Sequence, residues 1–123
     1  MPSWNKDAAV DHLRSHAQPS SHGLCARYVR EAVAAGGVEL EHTVAARNYG
    51  GPLLSAGFYP LLSSAHPVKG DVAVIQPIPD HPYGHMAMFD GNIWISDFRQ
   101  YHGYYPSQAY RDIKPPVQIY RHD

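Results

Sequence analysis

A chain of 123 residues is one domain's length and can bury one modest core without staples. Its formal net charge is −1 and its Lys and Arg residues form no cluster, which excludes the basic stripe that holds nucleic-acid backbones. No apolar run nears the roughly 18 residues of a membrane span, and a lone cysteine, Cys25, excludes an internal disulfide and a Cys-rich zinc site.

The opening stretch MPSWNKDAAVDHLRSH lacks the basic-then-apolar build of a signal peptide, so the chain is expected to start in the cytosol. Residues 5–17 read as a helix. Asn5 caps it, Asp7 suits the dipole of the first turn, and Val10, Leu13 and Ala17 form an apolar stripe. His12 and His16 lie one turn apart on it, a spacing that can bind metal. With no HExxH pattern and no third ligand, a solvated helix face is the better reading.

Residues 24–35 read as a second helix, with Ser20 or Ser21 as cap and Gly36-Gly37 as terminator. Cys25 falls in its first turn, on the apolar face shared by Val29, Ala32 and Val33. Free cysteines are commonly buried packing residues. At a helix N-terminus, however, unpaired N–H groups and the dipole favour a thiolate and can hold an oxyanion. Residues 43–56 suggest a third, shorter helix broken near Gly50-Gly51-Pro52.

After Pro67 the period changes from helix to strand. DVAVIQ (71–76), HMAMF (85–89), NIWISDF (92–98) and VQIYR (117–121) read as strands, the last at a sheet edge. Helices first and an antiparallel sheet after make an α+β fold over a single domain, residues 1–123. His85 opens the HMAMF strand directly after Gly84, where a rigid backbone suits a general base for Cys25. An imidazole also needs a partner to orient it. A two-residue Asp90-Gly91 turn pairs His85 with Ser96. A three-residue Asp90-Gly91-Asn92 loop pairs it with Asp97 and collects Ala87, Phe89, Ile93 and Ile95 on one face. The second register is preferred; Ser96 or a backbone carbonyl is the fallback. The proline-rich QPIPDHPYGH (76–85) reads as a stiff cleft wall beside His85, with Tyr101, Tyr104, Tyr105 and Tyr110 facing it or packing elsewhere.

Cys25 in GLCARYVREAV, then Gly70-Asp71-Val72, then Gly84-His85-Met86-Ala87-Met88 and Asp97 in ISDF, together resemble the CHAP/NlpC superfamily. These are papain-like cysteine amidases and endopeptidases of peptidoglycan stem peptides. The resemblance spans residues 20–98. It implies a papain-like fold of helices packed on a small antiparallel sheet, with Cys25 as nucleophile, His85 as base and Asp97 as the third residue. It implies no cofactor and no metal. Many CHAP proteins carry Gln before the cysteine, where this chain has Leu24; an Asn often follows the acid, where this chain has Arg99-Gln100.

Small size and the missing leader further resemble amidase effectors of type VI secretion. That implies a monomer delivered to the periplasm or cell wall of a target cell, with secretion machinery and a cognate immunity protein as partners. A phage-type lysin domain, another papain-like acyl transferase and a non-catalytic cell-wall peptide-binding module remain alternatives.

Overall fold

Asn5 starts the first helix as its sequence predicts, its Oδ1 accepting the Ala8 N–H at 3.0 Å. The computed structural model describes residues 4–123; Met1–Ser3, at the start of the expected domain, lie outside it. Helix α1 (Lys6–His16) buries Ala9, Val10 and Leu13 against Val29, Ala32 and Val33 of α2 (Cys25–Ala35). Gly36 closes α2 and lets α1 approach. Its carbonyl accepts the Asn5 N–H at 2.8 Å, and a Cβ there would sit 2.6 Å from the Trp4 ring.

Gly50-Gly51-Pro52 does not break a helix. A 3-10 turn at Ala46–Asn48 precedes it, and α3 (Gly50–Ser55) begins on it, because proline in a first turn sacrifices no helical hydrogen bond. The strands are β1 (Tyr59–Pro60), β2 (Val72–Ile75), β3 (His85–Phe89), β4 (Trp94–Ile95), β5 (Arg99–Gln100) and β6 (Val117–Arg121); α4 (Gln108–Ile113) precedes β6. They form an antiparallel sheet in the order β1-β6-β2-β3-β4-β5. The expected α+β class is therefore what forms. Strand β6, expected at an edge, lies inside the sheet because the two-residue β1 covers its outer side.

Both faces of the sheet are covered. Val72, Val74, Met86, Met88 and Ile95 pack against the helices. Ala73, Ile75, Ala87 and Trp94 pack with Tyr110 of α4 on the other side. This is why VAVI reads as an unbroken apolar run. Asp71, fully buried, anchors the sheet: Arg121 forks onto its carboxylate with both contacts at 2.9 Å, and the Val68 N–H donates to it at 2.8 Å.

The hairpin after β3 takes neither register expected from sequence. Phe89 pairs with Trp94 and Met88 with Ile95, leaving residues 90–93 as a longer loop. The cause is the Asp90 side chain, whose Oδ1 accepts the N–H of Asn92 at 2.8 Å and of Ile93 at 2.7 Å while Oδ2 takes Arg14 of α1 at 2.6 Å. The ladder then stops at Ile95. Ser96, Asp97 and Phe98 make a tight turn, and β5 folds back onto β4 with Gln100 opposite Trp94. Asp97 thus sits on a turn rather than across from His85.

Candidate active site

Cys25 is the first residue of α2, as expected, and is partly buried. Its backbone N–H lies in the first turn, where no helical carbonyl takes it. Neither Ser20 nor Ser21 caps the helix. Asp97 holds the lead-in to the helix from the β4–β5 turn, its Oδ2 accepting the His22 N–H at 2.7 Å and the Leu24 N–H at 3.0 Å. The same turn is pinned to the end of α1 by the Gln18 N–H on the Asp97 carbonyl at 2.7 Å. A buried carboxylate on two backbone donors fixes this loop and stands where the positive end of the helix dipole favours it.

His85 opens β3 opposite Ile75 and is almost wholly buried. Gly84 makes that entry: it has a φ of +74°, and a Cβ there would sit 2.4 Å from the Ile75 carbonyl oxygen. The imidazole does not bond Asp97. Its Nε2 lies 2.7 Å from Oε1 of Gln100 on β5. Ser96, the fallback partner, is turned toward Asp97 Oδ1 and the Phe98 carbonyl instead.

Gln100 also decides the tautomer. Its Nε2 donates to the carbonyls of Gly103 at 3.1 Å and Tyr104 at 2.8 Å, so the amide nitrogen must point there and Oε1 toward His85. Oε1 can only accept. His85 Nε2 therefore carries the proton, and Nδ1 holds the lone pair a base needs. Sequence reasoning missed Gln100. Its signal was an amide side chain three residues after the acid, on the strand that returns from the turn.

The thiol and the imidazole line one cleft of ≈ 410 Å³, with Asp80, His81, Ser107 and Tyr110 among its walls. The 80–84 part of the proline-rich segment forms its rim, as the sequence suggests. A second groove of ≈ 270 Å³ meets it at Cys25, lined by Leu24, Arg27, His42, Val44 and Tyr49. The sulfur thus stands where two grooves join, a shape that accepts chain on both sides of one bond.

Burial pushes the Cys25 thiol up to about 11, with the Asp97 charge adding to the rise. The backbone N–H groups of Met86, Ala26 and Cys25 itself oppose it, which sets the sulfur against β3 one residue past His85. Burial likewise pulls His85 down to about 4, against the opposing effects of Gln100 and Asp97. Burial thus favours the neutral thiol and the neutral imidazole over the preformed thiolate that a first-turn position alone suggests. Two outcomes follow. Alkylation of Cys25 by iodoacetamide is expected to rise with pH to a midpoint above the ordinary thiol value of about 8.5. The acid limb of kcat/KM, set by protonation of free His85, is expected to fall below the ordinary imidazole value of about 6.5. An alkylation midpoint below pH 7 would contradict this charge state.

Among the described residues, no group of three or more His, Cys, Asp or Glu is placed to hold a metal ion. His12 and His16 stack ring on ring at 4.0 Å, with His16 Nδ1 engaged by the His12 carbonyl, so the pair does not converge on a point.

Solved structures share this fold. One is a chain of the type VI native effector–immunity complex Tae3–Tai3 from Ralstonia pickettii, with a TM-score of 0.94 and 48% identity over 98% of this chain and 100% of that one. The chain belongs to the Tae3 family of type VI effectors. The selenomethionine form of the Ralstonia pickettii Tae3–Tai3 complex matches with a TM-score of 0.88 and 50% identity, over 92% of this chain and 98% of that one. No family model matches the chain, and no curated protein does. Among the described residues no helix is long and apolar enough to cross a membrane.

Proposed function

We propose that this Tae3-family chain is a cysteine amidase that hydrolyses an amide bond in peptidoglycan stem peptides and acts as an antibacterial effector. The observation that carries the reading is Cys25 at a helix N-terminus, in one cleft with an imidazole whose Nδ1 is the unprotonated nitrogen. As Sγ attacks the amide carbonyl, His85 Nδ1 takes its proton. The carbonyl oxygen, now negative, is held by the Cys25 backbone N–H. The C–N bond breaks as His85 returns the proton to the leaving amine, leaving a thioester on Cys25. Water then attacks the thioester carbon, its proton going to His85, and the acid leaves as the thiol is restored.

Gln100 holds the imidazole in the working tautomer. Asp97, expected at that position, instead holds the segment that leads into Cys25. A helix-borne cysteine against a strand-borne histidine supports the papain-like reading. Delivery from the producing cytoplasm to the periplasm or wall of a target cell fits the effector family, and the Tae3–Tai3 complexes support a cognate immunity protein here. The test is mass spectrometry of muropeptides after digestion of purified sacculi. Hydrolysed stem peptides or cross-links are the expected products; intact muropeptides after prolonged digestion would sink the proposal.

A further inference from the structure

Tyr110 is only 2% exposed, yet its hydroxyl has no hydrogen-bond partner among the described residues. Buried tyrosine hydroxyls normally find one. Tyr49, buried as deeply, does: its Oη donates to the Thr43 carbonyl at 3.3 Å. Half-buried Tyr105 donates to the Pro115 carbonyl at 2.6 Å, whereas Tyr120, 9% exposed, shares the unpaired state but does not line the cleft. Nor is the Tyr110 hydroxyl sealed inside the protein. The buried side-chain polar atom left without a partner among the described residues is Arg30 Nε, and Tyr110 instead opens on the cleft shared by Cys25 and His85.

The ring is held firmly. It packs beside His85 at 6.0 Å and His81 at 5.4 Å, stacks on Tyr105 at 6.4 Å, and belongs to the core on the far face of the sheet. Ser107 Oγ accepts the Tyr110 N–H at 3.4 Å, and the Tyr110 carbonyl accepts the Lys114 N–H at 2.8 Å where the chain turns left-handed. A phenol fixed in this way, open at its tip and unpaired, is a preorganised donor.

Its place in the cleft selects what it meets. His85 must hand its proton to the leaving nitrogen, so the amine half of the substrate lies on the His85 side. Tyr110 lines that side and is absent from the groove of Leu24 and Val44. We propose that Tyr110 Oη is a substrate-binding donor that takes a carbonyl or carboxylate oxygen of the residue leaving as the amine. This rests on the amidase reading above. Burial holds the phenol up to about 12, so it keeps its proton, and donates, throughout the working pH range.

Tyr110→Phe removes one oxygen and keeps the ring against His85. With muropeptides released from sacculi by a muramidase, kcat/KM is expected to fall about 10- to 100-fold, the scale of one hydrogen bond lost from a site that leaves an acceptor unpaired. The pH profile of Cys25 alkylation is expected to match the wild type, because the reactive pair is untouched. An unchanged kcat/KM would overturn the proposal. So would a shifted alkylation profile, which would place the effect on the thiol and imidazole rather than on substrate. Binding of the same muropeptides to Cys25→Ala, with and without Tyr110→Phe, separates this proposal from the function itself. Weaker binding in the double variant supports the Tyr110 contact, and equal binding overturns it alone. No cleavage by the wild type and no binding by Cys25→Ala would overturn both readings.

Discussion

Cys25→Ala is expected to lower the hydrolysis of purified sacculi by a factor on the order of 10⁴ or more, to the level of the uncatalysed control. The mechanism has no second nucleophile. The thiol of Cys25, partly buried, is the one sulfur among the described residues lining the cleft of ≈ 410 Å³, and in the proposed mechanism His85 beside it acts as base rather than nucleophile. Water could replace the thiol only without the covalent step that divides a hard amide cleavage into two easier ones. The fold should survive the change. Alanine is a strong helix former, and the loss of one sulfur from a partly buried site is expected to cost about 1 kcal/mol or less. A melting temperature within a few degrees of the wild type, together with absent muropeptide products, is the expected pair of readings. Full activity in the variant would remove Cys25 from the chemistry.

Asp97→Ala is expected to lose about 3 kcal/mol of stability and to melt roughly 10 °C lower. The carboxylate is fully buried, and its removal strands the N–H groups of His22 and Leu24 that it now accepts at 2.7 and 3.0 Å. The lead-in to Cys25 loses its anchor, so activity falls along with stability. Asp97→Asn keeps an oxygen that can accept from the same donors and is expected to recover most of both. The opposite pattern belongs to an imidazole-orienting acid: a near-normal melt for Asp97→Ala with a collapsed kcat. Thermal melting and kcat measured on both variants decide between the two roles.

Asp97 also shows where the chain's sequence is hard to read. Its residue type suits a site, and it does lie at one. Which partner it takes depends on register. The Asp90 side chain draws two backbone N–H groups into a loop longer than either hairpin expected, and that moves Asp97 off the ladder onto a turn beneath α2. A shift of one residue changes the face and the neighbour of everything beyond it. Gln100 then reaches His85 from an edge strand only two residues long, which carries little alternation for a sequence pattern to detect. The Gly-Asp-Val stretch is similar. Asp71 is legible as part of a motif, but its bidentate hold on Arg121 of β6, 50 residues away, is not.

Local features were readable for a local reason. Asn5 caps α1, Cys25 opens α2, Gly36 ends it and His85 opens β3, each set by its near neighbours and by a helical or strand period. By itself, then, the sequence determined an α+β chain with a thiol at a helix start and an imidazole at a strand start. The tertiary structure decided the rest: that Gln100 meets the imidazole, that Asp97 holds the lead-in to α2, that Tyr110 lines the cleft, and that burial disfavours the charged forms of Cys25 and His85. The reason is physical. Cross-strand partners and desolvation are set by what the folded chain brings together from far apart, and no short stretch of sequence contains them.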